Sequence, residues 1–329
     1  MAPLSHDGCH VTPRPDQALS WVVGSGGLLG QAVTSRLRRD DNGPVLTSRI
    51  PWADVSGSRS ALQGALVAFL DRANSTSTSW RIAWCAGAGV TGTSAQTLRD
   101  EVTTFHGFLD VLTTHAGPAT GTFFLASSAG GVYAGASSPP FTEAHQPRAL
   151  APYGEAKLAA EAAAGRFARA TGNRVIIGRI ANLYGPGQNL AKAQGLISHL
   201  CRAHITGQPL SVYVSLDTIR DYLYVDDCAG MISDALRLDP TFEGPLTTKI
   251  LASHQGTTVG ALIGECRRVF KRTPRLVLGT SATAKFQVKD LRLRSTVWPE
   301  LNRRALTTLP AGIAATAASL LRSSQLARC

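Results

Sequence analysis

Short, uninterrupted apolar runs alternate along this chain with longer stretches in which apolar residues recur every three or four positions. The runs at 19–23, 45–47, 82–86, 122–126 and 174–180 predict buried strands. The periodic stretches at 28–38, 61–70, 97–115 and 153–170 predict helices. A segment ending at Asp54 predicts one more short strand. Strands that are apolar on both faces and separated by helices build a parallel sheet covered on both sides, so the fold class is α/β and doubly wound. Beyond Tyr184-Gly185-Pro186-Gly187 the order is less regular, with helices at 196–206, 225–238 and 258–270 and a short strand at 249–251. The pattern divides the chain into a loose polar leader (1–17), a doubly wound α/β domain (18–185) and a smaller mixed α/β domain (186–329). Segments near 222–255 are expected to pack back on the first domain.

Composition narrows the classes. At 329 residues and 44% hydrophobic content the chain buries a full core. No run approaches the ~18 apolar residues of a membrane span, and residues 1–10 lack the basic start and apolar segment of a secretory signal. The six cysteines are scattered without a Cys-x-x-Cys pair, which argues against a metal site or disulfide framework and for the cytoplasm. The net charge of +11 is spread along the chain, and aromatics are only 6%, so no nucleic-acid surface is predicted. A basic pocket for a small anion remains compatible with that charge.

The first strand runs into Val-Val-Gly-Ser-Gly-Gly-Leu-Leu-Gly (22–30). Gly24, Gly27 and Gly30 suit a tight turn, a close approach to a pyrophosphate, and packing of the next helix on the strand; Gly26, Leu28 and Leu29 complete the cradle. A helix N-terminus there offers N–H groups and partial positive charge to phosphates. NAD-binding chains usually carry an acid about 20 residues further on. Here that place reads Val45-Leu46-Thr47-Ser48-Arg49. Ser48 and Arg49 suit a 2′-phosphate, so the cofactor is NAD or NADP with a lean toward NADP. Asp54 either lies under the adenine or caps the following helix.

Tyr153 and Lys157 stand four residues apart, on one face of the predicted helix. An ammonium beside a phenol favours the phenolate, which takes a proton from an alcohol, and the neutral phenol returns one to a ketone. His199 and His204 flank Cys201 without an acidic partner at metal spacing, so they are read as helix-face or core residues. Asp226 and Asp227 are read as a helix N-terminus.

Five ordered segments carry a resemblance over nearly the whole chain, about 19–321. They are Gly-Ser-Gly-Gly-Leu-Leu-Gly (24–30), Ala-Ser-Ser-Ala-Gly-Gly-Val-Tyr (126–133), Pro-Tyr-Gly-Glu-Ala-Lys (152–157), Arg-Ile-Ala-Asn-Leu-Tyr-Gly-Pro-Gly-Gln-Asn (179–189) and Ile-Arg-Asp-Tyr-Leu-Tyr-Val-Asp-Asp-Cys-Ala (219–229). With them the chain resembles the extended short-chain dehydrogenase/reductases, in their nucleotide-sugar epimerase/dehydratase branch. The resemblance implies a Rossmann-type sheet with a smaller substrate domain, and a nucleoside-diphosphate sugar as substrate. It implies Tyr153 as catalytic acid/base and Lys157 as its activator and nicotinamide-ribose contact. Ser128 would hydrogen-bond the reacting oxygen, with Ser127 as the alternative; the family's usual serine place falls on Ala129. Ala86 and the turn Gly87-Ala88-Gly89 would line the nicotinamide side. Asn182 and Arg220 would hold the substrate diphosphate, with Gln188, Asn189 and Arg292 also at the substrate; a surface ion pair of Arg220 with Asp217 or Asp221 is the plainer alternative.

The implied reaction is hydride transfer at sugar C4, as a 4-epimerase or else as a 4-ketoreductase using NADPH. A dehydratase is disfavoured because Ser-Ala-Gly (128–130) stands where that branch has Thr-Asp-Glu. A non-catalytic cofactor-binding regulator is disfavoured by the intact Tyr/Lys pair. The resemblance also implies a homodimer through the helices near 97–115 and 153–170.

Overall fold

The structure is a computed structural model and describes residues 18–41, 43–87, 89–90, 92–116, 120–192, 194–238, 244–279 and 288–326. The 1–17 leader and Ala88 lie outside the described residues. The first half runs β1 (Leu19–Val23), α1 (Leu28–Asp40), β2 (Val45–Thr47), α2 (Val55–Ser75), β3 (Trp80–Trp84), α3 (Ala95–His115), β4 (Gly121–Ser128), one-turn α4 (Ala129–Val132), α5 (Pro152–Thr171) and β5 (Arg174–Ile180). The second half adds β6 (Asn182–Tyr184), α6 (Leu196–Thr206), β7 (Leu210–Val212), β8 (Ile219–Tyr224), α7 (Val225–Arg237), β9 (Leu246–Leu251), β10 (Gly256–Thr258), α8 (Val259–Phe270), β11 (Leu276–Leu278), β12 (Asp290–Leu291) and α9 (Leu309–Leu326).

Six strands form one parallel sheet in the order β2-β1-β3-β4-β5-β9. Side chains alternate across it, and both sides are dry, which is why its strands read as unbroken apolar runs. Val22, Ala83, Phe124 and Ile176 face α1 and α7, packing with Val33, Leu37, Ile232 and Leu236. Trp21, Ile82, Phe123 and Val175 face α2, α3 and α5, packing with Leu66, Phe69, Phe108, Leu112 and Phe167. A third cluster joins α6, α8 and α9 through Leu200, Cys201, Leu262, Cys266 and Ile313. Among the described residues no helix is long and apolar enough to cross a membrane.

The order reverses at β1, whose chain leaves for β2 on one side while β3 pairs on the other. That reversal opens a crevice at the carboxyl ends of β1 and β3, where doubly wound sheets bind ligands. The second half does not stand apart from this sheet. Its strand β9 lies parallel to β5, with Ile180 opposite Leu251, and Ser233 of α7 donates to Asp40 of α1 at 2.8 Å. Around β8 a smaller sheet gathers β10, β12 and β6, aligning Asn182 with Tyr222 and Arg220 with both Thr257 and Leu291.

The strand expected to end at Asp54 does not form. Trp52 and Asp54 turn back on Ile50 and Pro51, and the Asp54 carboxylate accepts from the Ser56 backbone N–H at 3.0 Å, starting α2 at Val55. The helix signal at 61–70 is the buried centre of that longer helix. The short strand at 249–251 is the end of β9.

Candidate active site

β1 is fully buried, so the chain must turn sharply where it meets the crevice. Gly24 does this with φ +85°, a conformation that favours glycine, and a Cβ on it would come within 2.6 Å of the Ala86 nitrogen. The turns after β1 and β3 therefore abut directly. A Cβ on Gly30 would overlap the Gly24 carbonyl, so α1 can approach β1 only with glycine there. Gly27 caps α1 without any side-chain hydrogen bond, and around Gly26 there is open space. An uncapped helix N-terminus behind two positions without Cβ fits the pyrophosphate of a dinucleotide. Leu28 and the buried Leu29 anchor the first turn of α1 beneath that cradle.

At the end of β2, Ser48 is half-buried and Arg49 exposed. Nearby, Ser25, Gln31, Thr34, Arg38 and Thr47 line a groove of about 460 Å³. Of the two readings of Asp54, the structure places it as the helix cap; the backbone N–H of Gly57 and the Ser56 hydroxyl hold its carboxyl below the ordinary range.

Ser127 and Ser128 end β4 and, being adjacent in a strand, face opposite ways. The Ser128 hydroxyl caps α4 by accepting from the Gly131 N–H at 3.2 Å. Ser127 points inward, donating to Glu161 at 2.5 Å. Glu161 pairs with Arg179 at 2.7 Å, and Arg179 donates at 2.7 Å to the Tyr133 hydroxyl, which donates on to the Thr142 carbonyl. Burial opposes the Arg179 charge, but the hydrogen bond and charge of Glu161 outweigh it and raise its proton affinity. Ser127 thus belongs to a buried network tying β4, β5 and α5 together, and Ser128 is the serine at the end of the sheet free of that network.

Pro152 stands at the start of α5, where a missing N–H costs nothing. A Cβ on Gly131 would meet the Tyr153 ring at 3.0 Å, and one on Gly154 would come within 2.9 Å of the Gly131 carbonyl carbon. The glycines let α4 and α5 touch, which sets the tyrosine ring on the serine-capped turn. Lys157 lies one helical turn on, its Nζ 5.7 Å from the centre of the Tyr153 ring. A Cβ on Gly87 would stand 3.2 Å from Lys157 Nζ and 3.1 Å from Glu101 Oε1. Glu101, on α3, is 3.8 Å from Lys157 and accepts from the Gly89 N–H at 3.2 Å. It escaped sequence reasoning because no motif of its own surrounds it; it reaches the site only through the packing of α3 on α5.

Asn182 opens β6 with its Oδ1 3.8 Å from where a Cβ on Gly130 would be, where Ser128 Oγ stands at 4.0 Å and Leu291 at 3.5 Å. Asn182, Ser128 and the strand leading to Arg292 thus converge on one glycine. Arg220 is half-buried, with Nη1 donating to the Ile219 carbonyl at 2.8 Å. Burial lowers its proton affinity, opposed by Tyr222 and Asp290. The acids considered as its surface partners are engaged elsewhere: Asp217 pairs with Lys289, and Asp221 accepts from Ser253 at 2.8 Å. Three of the other expected residues make local contacts. Gln188 packs on Gly195, Asn189 Oδ1 caps the Ala191 N–H at 2.9 Å, and Arg292 forks onto Asp290 at 2.8 Å in the open. His199 Nε2 donates to the Lys192 carbonyl at 3.1 Å and His204 stacks on Phe270 at 4.1 Å, while Asp227 accepts from the Thr307 N–H at 2.7 Å.

A parallel sheet with a glycine cradle after its first strand, and a Tyr–Lys helix set against the serine that ends β4, defines a dinucleotide-binding protein of the short-chain dehydrogenase/reductase type. The chain belongs to the NAD dependent epimerase/dehydratase family, whose sequence model matches residues 21–243. It is 29% identical over 155 residues to a dTDP-4-dehydro-6-deoxyglucose reductase of Escherichia coli, covering 47% of each chain. It is 31% identical over 96 residues to a dTDP-L-rhamnose 4-epimerase of Burkholderia thailandensis, covering 29% of this chain and 26% of that one. The matches therefore span less than half the length of these curated relatives. The structure superposes on the UDP-glucose 4-epimerase of Thermus thermophilus, solved with NAD, at a TM-score of 0.76 and 18% identity, covering 92% of this chain and 99% of the other. At that identity the superposition establishes the shared fold.

Proposed function

We propose that the protein is an NAD(P)-dependent nucleotide-sugar enzyme acting by hydride transfer at sugar C4, as a 4-epimerase and as a homodimer through the outer faces of α3 and α5. The observation that carries the reading is the seating of Tyr153 against Gly131, in the turn that Ser128 caps, with Lys157 one helical turn away. The uncapped N-terminus of α1 and the turn at Ala86 and Gly87 would hold the dinucleotide; bound there, it supplies the acceptor for the C4 hydride and its return. Tyr153 takes the proton of the C4 hydroxyl, and Ser128 hydrogen-bonds the same oxygen. Lys157 favours the phenolate and reaches the ribose. Arg220 and Asn182 hold the diphosphate, a job suited to a half-buried guanidinium. Once the 4-keto sugar has turned over in the site, return of the hydride to the other face of C4, with return of the proton by Tyr153 to the oxygen, gives the C4 epimer. The free thiols Cys85, Cys201, Cys228 and Cys266 suit a reducing cytoplasm.

A second reading, reduction of an NDP-4-keto sugar with NADPH, is favoured by the named activity of the E. coli relative and by the lack of an acid at Ser48 and Arg49. One experiment separates them. Purified protein, its mass checked by light scattering, is incubated with UDP-glucose, UDP-N-acetylglucosamine, UDP-glucuronate or a dTDP-4-keto-6-deoxyhexose, with NAD(H) or NADP(H). Epimer without net change in the cofactor supports the first reading, and stoichiometric loss of NADPH the second. Cofactor binding without turnover of any sugar sinks both.

A further inference from the structure

The groove of about 460 Å³ beside β2 holds donors that the proposed chemistry does not use. Its walls are Ser25 in the turn after β1, Thr47 at the end of β2, and one face of α1. Gln31, Ser35 and Arg38 stand three or four residues apart and so share that face. Arg39, about 100° further round the helix, flanks it. Because Ser25 belongs to the glycine turn, the groove opens directly onto the cradle at 24–30.

Two polar groups of the groove are spent on that turn. Thr34 Oγ1 donates to the Gly30 carbonyl at 2.7 Å, and Gln31 Nε2 to the Gly26 carbonyl at 2.8 Å. The hydroxyls of Ser25, Ser35 and Thr47 and the guanidinium groups of Arg38 and Arg39 have no hydrogen-bond or ion-pair partner among the described residues. The acids nearest in the chain are taken by other arginines. Asp40 pairs with Arg36 at 2.5 Å and with Arg237 at 3.3 Å, and Asp41 lies 3.5 Å from Arg81. No carboxylate lines the groove.

Chains that bind NAD set an acid at the end of the second strand to take the ribose 2′-hydroxyl. Such an acid would repel a phosphate on that oxygen. Here β2 ends on the hydroxyl of Thr47, and the positive charge comes from α1. Helical side chains lean toward the N-terminus, so Arg38 leans toward Ser35, Gln31 and the turn. A guanidinium fork among free hydroxyls matches the oxygens of a phosphate. Arg49, the cation that β2 itself offers, is exposed and lies outside the residues that line the groove.

We propose that the groove takes a phosphate monoester, the 2′-phosphate of NADP, and that Arg38 is the residue that selects NADP over NAD. The inference rests on the reading of the 24–30 turn as a dinucleotide cradle. It moves the choice of cofactor from the end of β2 to α1.

The test is an equilibrium measurement on the purified full chain and needs no turnover. Protein is dialysed against an equimolar mixture of NAD and NADP, and the bound nucleotides are resolved by chromatography. The wild type is expected to hold about ten NADP for each NAD, the worth of one charge-assisted hydrogen bond. Arg38→Ala should bring the ratio to about 1:1 while the protein still fills with nucleotide, which shows the cradle intact. Arg38→Lys should fall between, since an ammonium keeps the charge without the fork. A wild-type ratio near 1:1 overturns the assignment, as does a preference that Arg49→Ala removes and Arg38→Ala leaves in place. A parallel dialysis against NAD and inorganic phosphate separates the two sources of the anion. Phosphate retained beside NAD, with no preference for NADP, assigns the groove to a free anion and overturns the proposal. If neither nucleotide binds, the dinucleotide reading falls and the groove's assignment with it. A selective ratio without turnover of any sugar leaves the assignment standing while the proposed reaction falls.

Discussion

Tyr153 sits where two glycines allow it to: Gly131 beneath its ring, and Gly154 beside it facing the same carbonyl. Its hydroxyl is the one group in the proposed chemistry that must both lose and regain a proton. Tyr153→Phe keeps the ring and its packing while removing that proton. It is expected to lower turnover by about 10²–10⁴-fold and leave dinucleotide affinity within about threefold of wild type, as read by steady-state kinetics and calorimetry. At this scale the sequence was legible wherever function is local. The Tyr153/Lys157 spacing and the glycine turn are written in consecutive residues. The choice between Ser127 and Ser128 was not, because it depends on how far β4 runs: once the strand reaches Ser128, its two-residue period sends one hydroxyl to Glu161 and leaves the other at the sheet's end. Glu101 was invisible for a stronger reason, since 56 positions separate it from Lys157 and only the packing of two helices brings them together.

Among the elements, the contact of α4 with α5 carries the most consequence for its size. A Cβ at Gly154 falls within 2.9 Å of backbone atoms of Gly131, whereas one at Gly130 meets nothing closer than 3.5 Å. Gly154→Ala should therefore push the start of α5 off α4, at a cost of about 1–3 kcal/mol in denaturant unfolding and with a fall in activity; Gly130→Ala should cost less than about 1 kcal/mol. Helices and strands of the sheet were legible from periodicity because they are long and buried on a definite side. The segment before Asp54 was misread because its apolar Ile50 and Pro51 imitate a strand, while the acid that follows is a cap. The short strands β8, β10 and β12 escaped notice, being two to six residues long and set by pairing with one another rather than by any pattern of their own.

For the molecule as a whole, stability near neutral pH carries a buried acid. Burial pushes the Asp221 carboxyl up to about 6 from its ordinary 3.8, against hydrogen bonds from Ser253. The folded protein thus binds this proton more tightly than the unfolded chain does. The stability it contributes is complete below about pH 4 and is lost as pH rises through about 6. At about 1.4 kcal/mol per unit the swing is roughly 3 kcal/mol. Asp221→Asn, which keeps an oxygen for Ser253, should flatten the dependence between pH 4 and 6 in denaturant melts monitored at several pH values; an unaltered slope would show that Asp221 does not titrate there.

The position of β9 also bears on how such a chain is made. Strands β1 to β5 leave the ribosome in order, but the outer edge of β5 meets its neighbour only after residue 251 has been added. Until then the nascent sheet carries a bare, apolar parallel edge, a template for pairing with other chains. Synthesis at about 5–20 residues per second leaves that edge uncovered for several seconds, a window in which it is open to pairing with another chain.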